Sequence, residues 1–234
     1  MLPPEEQERM KLSVCRFFEG KLNELEAVSG SDSMDYVQKF YELCTATTVP
    51  WSQKKEFDLL GLPAPLRIRF DRNSAYQPEL RKMSVSVEPL LQARNVSDLK
   101  EASLTILQAI YHEAEHIFFP IVLEEYEGAD RGTTPGEWIQ YASQDTEINS
   151  YARQYAFRYS REYPNEPFAL DKMQELAVRL SNEREAQNDA YNYFIVFADS
   201  DKQREYGKWG DLAKAHAAIV AETEKQLMKI SQRV

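Results

Sequence analysis

The feature that most constrains this chain is the pentapeptide His112-Glu113-Ala114-Glu115-His116, set within the run Leu99–Phe119. No Gly or Pro interrupts that run before Pro120. Leu104, Leu107, Ala109, Ile110, Ala114, Ile117 and Phe118 recur at three- and four-residue steps, the pattern of a buried amphipathic helix. Helical residues four apart lie one above the other, so His112 and His116 project side by side and can share a metal ion. Glu113 lies about 100° round from His112 at roughly 3.6 residues per turn, within reach of a water on that ion. H-E-x-x-H on a helix is the pattern of a zinc site whose glutamate is the general base. The chain has only three His, two of them here, which makes a chance match rare. The competing view is an ordinary helix whose histidines are bonded within the core.

At 234 residues, 43% hydrophobic and 28% charged, the chain can bury a sizeable core as one domain, or one domain with a helical appendage. Its net charge of −10 weighs against nucleic acid or an anionic membrane as partner, because phosphate binding needs clustered Lys and Arg. The N-terminal residues lack a basic region followed by an apolar run, so no signal peptide is expected. No apolar stretch is long enough to cross a bilayer. Cys15 and Cys44 are far apart and neither sits at metal-ligand spacing, so both read as reduced, buried thiols of a cytoplasmic protein.

Along the chain, residues 4–28 read as a helix that follows Pro3-Pro4 and turns Val14, Phe17, Phe18, Leu22 and Leu25 inward. A turn at 29–33 leads to a second helix over about 34–47, facing inward with Tyr36, Val37, Phe40, Tyr41 and Cys44. Leu66–Phe70 and Ser84–Glu88 alternate in the period of half-buried strands, with antiparallel pairing expected between them. The edge of such a sheet could bind an extended peptide, or the sheet could be scaffold only. Residues 128–136 are dense in turn formers, and Ser143 or Asp145 can cap a helix over about 146–161. Two more helices are expected over 167–198 and 207–231. The divisions implied are an N-terminal helical region (1–60), a core (61–162) and a C-terminal helical region (163–234). The fold class is α+β, mainly α-helical, with a small antiparallel sheet packed on the metal helix.

A catalytic zinc takes three protein ligands and keeps a position for water. The extension H-E-x-x-H-x-x-G-x-x-H is ruled out, because Phe119 and Val122 occupy its last two defined positions. The remaining histidine, His216, follows His116 by 100 residues on an alanine-rich helix. Among the carboxylates, Glu147 lies 31 residues after His116, in the first turn of the next helix, and Glu137 lies 21 residues after it. Glu124, Glu125, Glu127 and Asp130 are further candidates.

With Glu147, Tyr151, Ala152, Tyr155 and Ala156 following the H-E-x-x-H helix, the chain resembles the gluzincins, zinc peptidases whose second helix supplies a glutamate. It looks most like their intracellular repressor-cleaving and radiation-response members and peptidases encoded in phage genomes. The resemblance covers roughly residues 66–160. It implies a zincin-like core, Zn2+ as cofactor, His112, His116 and Glu147 as ligands, Glu113 as base, and a protein or peptide substrate. One residue departs from the pattern: Glu115 stands where an uncharged residue is usual. The pentapeptide therefore also fits H-x-x-E-H, with Glu115 as base and a distant glutamate such as Glu183 or Glu185 as ligand. The developing oxyanion needs a donor besides the metal, for which Tyr151 is the first candidate, then Tyr155 and His216. Trp138, Trp209 and the cluster Phe194–Phe197 read as packing, and the segment 199–205 as a solvated charged turn. The rival to a peptidase is a non-catalytic metal-binding or interaction protein that keeps the helix as scaffold.

Overall fold

A computed structural model describes residues 3–29, 35–62, 65–118, 144–182 and 212–231. The chain divides into two compact units, residues 1–119 and 120–234.

In the first unit, helix α1 (Pro4–Val28) opens on Pro4, where a missing N–H costs nothing and φ is already helical. It buries Met10, Val14, Cys15, Phe18, Leu22 and Leu25. Helix α2 (Tyr36–Thr45) is capped by Asp35, whose carboxylate accepts from the Gln38 N–H at 3.0 Å. Strands β1 (Glu56–Leu59), β2 (Leu66–Asp71), β3 (Ala75–Gln77) and β4 (Lys82–Ser86) form one sheet in the order β1-β2-β4-β3. A short helix α3 (Glu88–Gln92) leads into α4 (Val96–His116).

The sheet is mixed. β1 pairs antiparallel with β2, and β3 antiparallel with β4, but β2 and β4 run parallel, with Ile68 beside Met83 and Phe70 beside Val85. This corrects the antiparallel pairing expected from the sequence. The linking segment itself forms β3 at the far side of β4, so the chain re-enters the sheet in the direction it left. The strand expected at 84–88 runs from Lys82 to Ser86 instead, and it stops there because Val87 holds the N-cap position of α3 and Pro89 stands in that helix's first turn.

Alternation on β2 decides the faces. Leu66, Ile68 and Phe70 are fully buried, while Arg67 and Arg69 carry ion pairs to Glu56, Asp58 and Asp71 on the other face. Phe70 stacks on Phe40 at 5.1 Å between ring centres and meets Tyr41 edge-on at 5.8 Å, while Phe18 reaches Phe40 at 6.3 Å. Those rings tie α1, α2 and the sheet into one core. Helix α4 packs on α1, α3, β3 and β4. Cys15 is buried in the α1 face and Cys44 is half-buried, and neither forms a disulfide.

In the second unit, helices α5 (Asp145–Glu162), α6 (Leu170–Asn182) and α7 (Leu212–Ser231) are described. Ile148, Tyr151, Ala152, Tyr155, Ala156 and Tyr159 of α5 share one core with Met173, Leu176 and Ala177 of α6 and Ala215, Ile219 and Leu227 of α7. The Tyr159 hydroxyl donates to the Pro167 carbonyl at 2.9 Å and accepts from the Ala169 N–H at 3.1 Å, which fixes the entry to α6. Gln144, not Ser143 or Asp145, holds the N-cap position of α5, and no side chain caps it.

The mainly helical α+β class is as expected, with seven α-helices and the four-stranded sheet among the described residues. Among those residues no helix is long and apolar enough to cross a membrane. The turn-rich loop at 128–136, the cluster Phe194–Phe197, the charged segment 199–205, Trp138 and Trp209 lie outside the described residues.

Candidate metal centre

Helix α4 begins one turn earlier than the sequence periodicity shows. The Asn95 side chain accepts from the Asp98 N–H at 2.9 Å, which satisfies one of the N–H groups a helix leaves open at its start. From Ile110 to His116 every residue of α4 is buried, including four that carry or can carry charge. His112 is 6% exposed, Glu113 7%, Glu115 4% and His116 8%. An isolated buried charge is costly, so such a stretch needs partners or a metal.

The two imidazoles meet as the four-residue spacing requires. His116 Nε2 lies 3.3 Å from His112 Nε2. Two nitrogens that each sit 2.0–2.1 Å from one tetrahedral zinc are about 3.3–3.4 Å apart. The third member comes from α5. Glu147 stands in the first turn of that helix, where the N-terminal dipole favours a carboxylate, and it is 4% exposed. One ligand atom from each of His112, His116 and Glu147 lies within 4.8 Å of the other two. Two imidazole nitrogens and one carboxylate oxygen are a donor set suited to a divalent metal such as zinc. The three residues form a buried group that can hold a metal ion.

Glu115, the second glutamate between the histidines on α4, has a partner on α1. Glu115 Oε2 accepts from Lys11 Nζ of α1 at 2.5 Å, with both side chains largely buried. Lys11 did not emerge from the sequence as a site residue. The signal was present: 11, 14, 15, 18, 22 and 25 continue the inward stripe of α1, so Lys11 stands on a face otherwise filled by apolar groups.

Tyr151, one turn beyond Glu147, is 3% exposed and stacks on Tyr155 with ring centres 6.4 Å apart, within the core of α5–α7. His216 lies half-buried on α7, where loss of hydration holds its pKa below the ordinary histidine value. The rival ligands Glu124, Glu125, Glu127, Asp130 and Glu137, and the distant Glu183 and Glu185, lie outside the described residues. Comparison with protein-family models, with curated proteins and with solved structures found no match to this chain.

Proposed function

We propose that this chain is a zinc-dependent peptidase of the gluzincin kind, with His112, His116 and Glu147 as ligands and Glu113 as general base. The observation that carries the reading is the convergence of those three ligand atoms beside a glutamate on the same helix. Bound there, zinc would polarise a substrate carbonyl and draw the pKa of a coordinated water towards about 7. Glu113 would take the water's proton on a carboxylate oxygen as the carbonyl carbon is attacked, then hand it to the leaving amine nitrogen. The burial of Glu113 keeps bulk water from competing for that proton. The substrate class is a protein or peptide.

Tyr151 is the candidate donor to the developing oxyanion, although its core position also suits a packing role. Tyr151→Phe separates the two: a donor role costs about 10²–10³-fold in kcat with little change in Tm, whereas a packing role leaves kcat intact.

Glu113→Gln tests the whole reading. The variant should keep its zinc and lose about 10²–10⁴-fold in hydrolysis of peptides selected from an unbiased library. Turnover of a confirmed substrate at the wild-type rate would overturn the assignment of the base.

The burial of all four side chains favours a second reading, a metal-binding protein without catalysis, in which the ion serves structure alone. A hydroxamate probe distinguishes them. Perturbation of the visible spectrum of the cobalt-substituted protein means an open coordination position, and no change means a closed one.

A further inference from the structure

The sheet ends in two different edges. β3 and its neighbour β4 pack on α4, while β1 lies at the opposite edge and, among the described residues, pairs only with β2. The Phe70 N–H donates to the Lys55 carbonyl at 2.9 Å, which sets the alternation of that antiparallel ladder. Phe57 and Leu59 therefore turn their main-chain groups to β2, and Glu56 and Asp58 turn theirs away. Those outward N–H and C=O groups form no hydrogen bond among the described residues.

A cleft of about 370 Å³ borders this edge. Phe57, Asp58 and Leu59 all line it. Successive strand residues face opposite sides, so a cleft that touches all three lies along the edge rather than on one face. Phe17 of α1 supplies a further apolar wall, and Val49 and Leu60, 39% and 85% exposed, add apolar surface open to solvent. Lys54 lines the same cleft, is exposed and engages no carboxylate among the described residues. The charges of Glu56 and Asp58 belong to the outer face, where Arg67 lies 4.0 Å from Glu56 and 3.8 Å from Asp58. They leave the edge itself unguarded.

Outward donors and acceptors repeating about every 6.8 Å along a strand match one kind of partner, another extended backbone. We propose that the free edge of β1 binds an extended peptide, which adds a strand to the sheet, seats a large apolar side chain in the cleft and sets an acidic group beside Lys54. This inference stands apart from the metal-site reading, because it uses the edge opposite to the one packed on α4.

The test uses the full chain and fluorescein-labelled peptides of about seven residues, in which Thr alternates with varied positions. The centre is Phe, Leu or Asn, and one end is Glu or Lys. Fluorescence polarisation should show Phe or Leu at the centre binding at least about tenfold more tightly than Asn. Glu at the end should be preferred over Lys by about threefold, and Lys54→Glu should reverse that preference. N-methylation of the peptide amides that face β1 should weaken binding at least about fivefold. Amide exchange at Glu56 and Asp58 should be fast in the free protein and slowed at least about tenfold by saturating peptide. The N-methyl and exchange measurements use the unaltered protein, so they decide the matter even if the variant fails to fold. Failure of every peptide to bind, or binding indifferent to N-methylation, overturns the proposal. So does slow exchange at Glu56 and Asp58 in the free protein, which would mean that another segment of the chain, or a second copy, already covers the edge.

Discussion

Two imidazoles and a carboxylate, all more than nine-tenths buried, are stable neighbours when a cation joins them. That consideration governs the predictions for single residues. Glu147→Gln keeps size and burial but removes the anionic oxygen. It should weaken zinc binding by more than the roughly 10–100-fold typical of outer-shell changes, read by chelator competition, while the protein without metal keeps its fold. Because the ligands must be unprotonated, zinc affinity should also fall as the solution is made more acidic, read by the same chelator competition. His216 gives a separate pH effect. Burial holds its folded pKa below the ordinary value of about 6.5, so below that pH the unfolded chain binds the proton more readily. Its contribution to stability is complete above that range and shrinks as pH falls towards the lowered folded pKa. His216→Gln should therefore lose less stability than wild type between pH 7.5 and 5.5 in urea unfolding, and an equal loss would contradict this. At this scale the sequence reveals the His pair because helix periodicity alone sets their spacing. It reaches Glu147 through family resemblance rather than through spacing, since the path between His116 and Glu147 obeys no local rule. It hides the Lys11–Glu115 pair, because no sequence pattern states which buried lysine meets which buried acid.

Among the elements, α4 matters most, since it carries both histidines. Its start depends on the Asn95 cap. Asn95→Ala should cost about 1 kcal/mol in denaturant unfolding and leave zinc affinity within about twofold, because the lost bond lies some four turns from the ligands. Tyr159→Phe removes the hydroxyl that serves both the Pro167 carbonyl and the Ala169 N–H. It should cost about 1–3 kcal/mol and speed amide exchange in the first turn of α6. Elements with strong periodicity were legible in advance: α1 over its whole length, the body of α2, and β2 from its alternating Leu66, Ile68 and Phe70. Strands β1 and β3, of four and three residues, are too short to show a period. The parallel pairing of β2 with β4 was illegible for the same reason, since it depends on the path through β3.

For the whole molecule, metal binding and folding are linked. A ligand that binds only the folded chain stabilises it by about 2.7 kcal/mol at a hundredfold excess over its Kd. Zinc should accordingly raise Tm, and a chelator should reverse the rise. The same titration on a variant with His112 and His116 both changed to Ala should show no such rise. The net charge of −10 also favours cation uptake in general, so zinc at a weak surface site must be told apart from zinc at this one. The most direct measurement is the zinc content of purified protein after dialysis, for wild type and for a variant with His112, His116 and Glu147 all replaced by Ala. About one zinc per chain in the wild type and almost none in the variant is the predicted result. A wild type that retains no zinc, or a variant that retains as much, would contradict it.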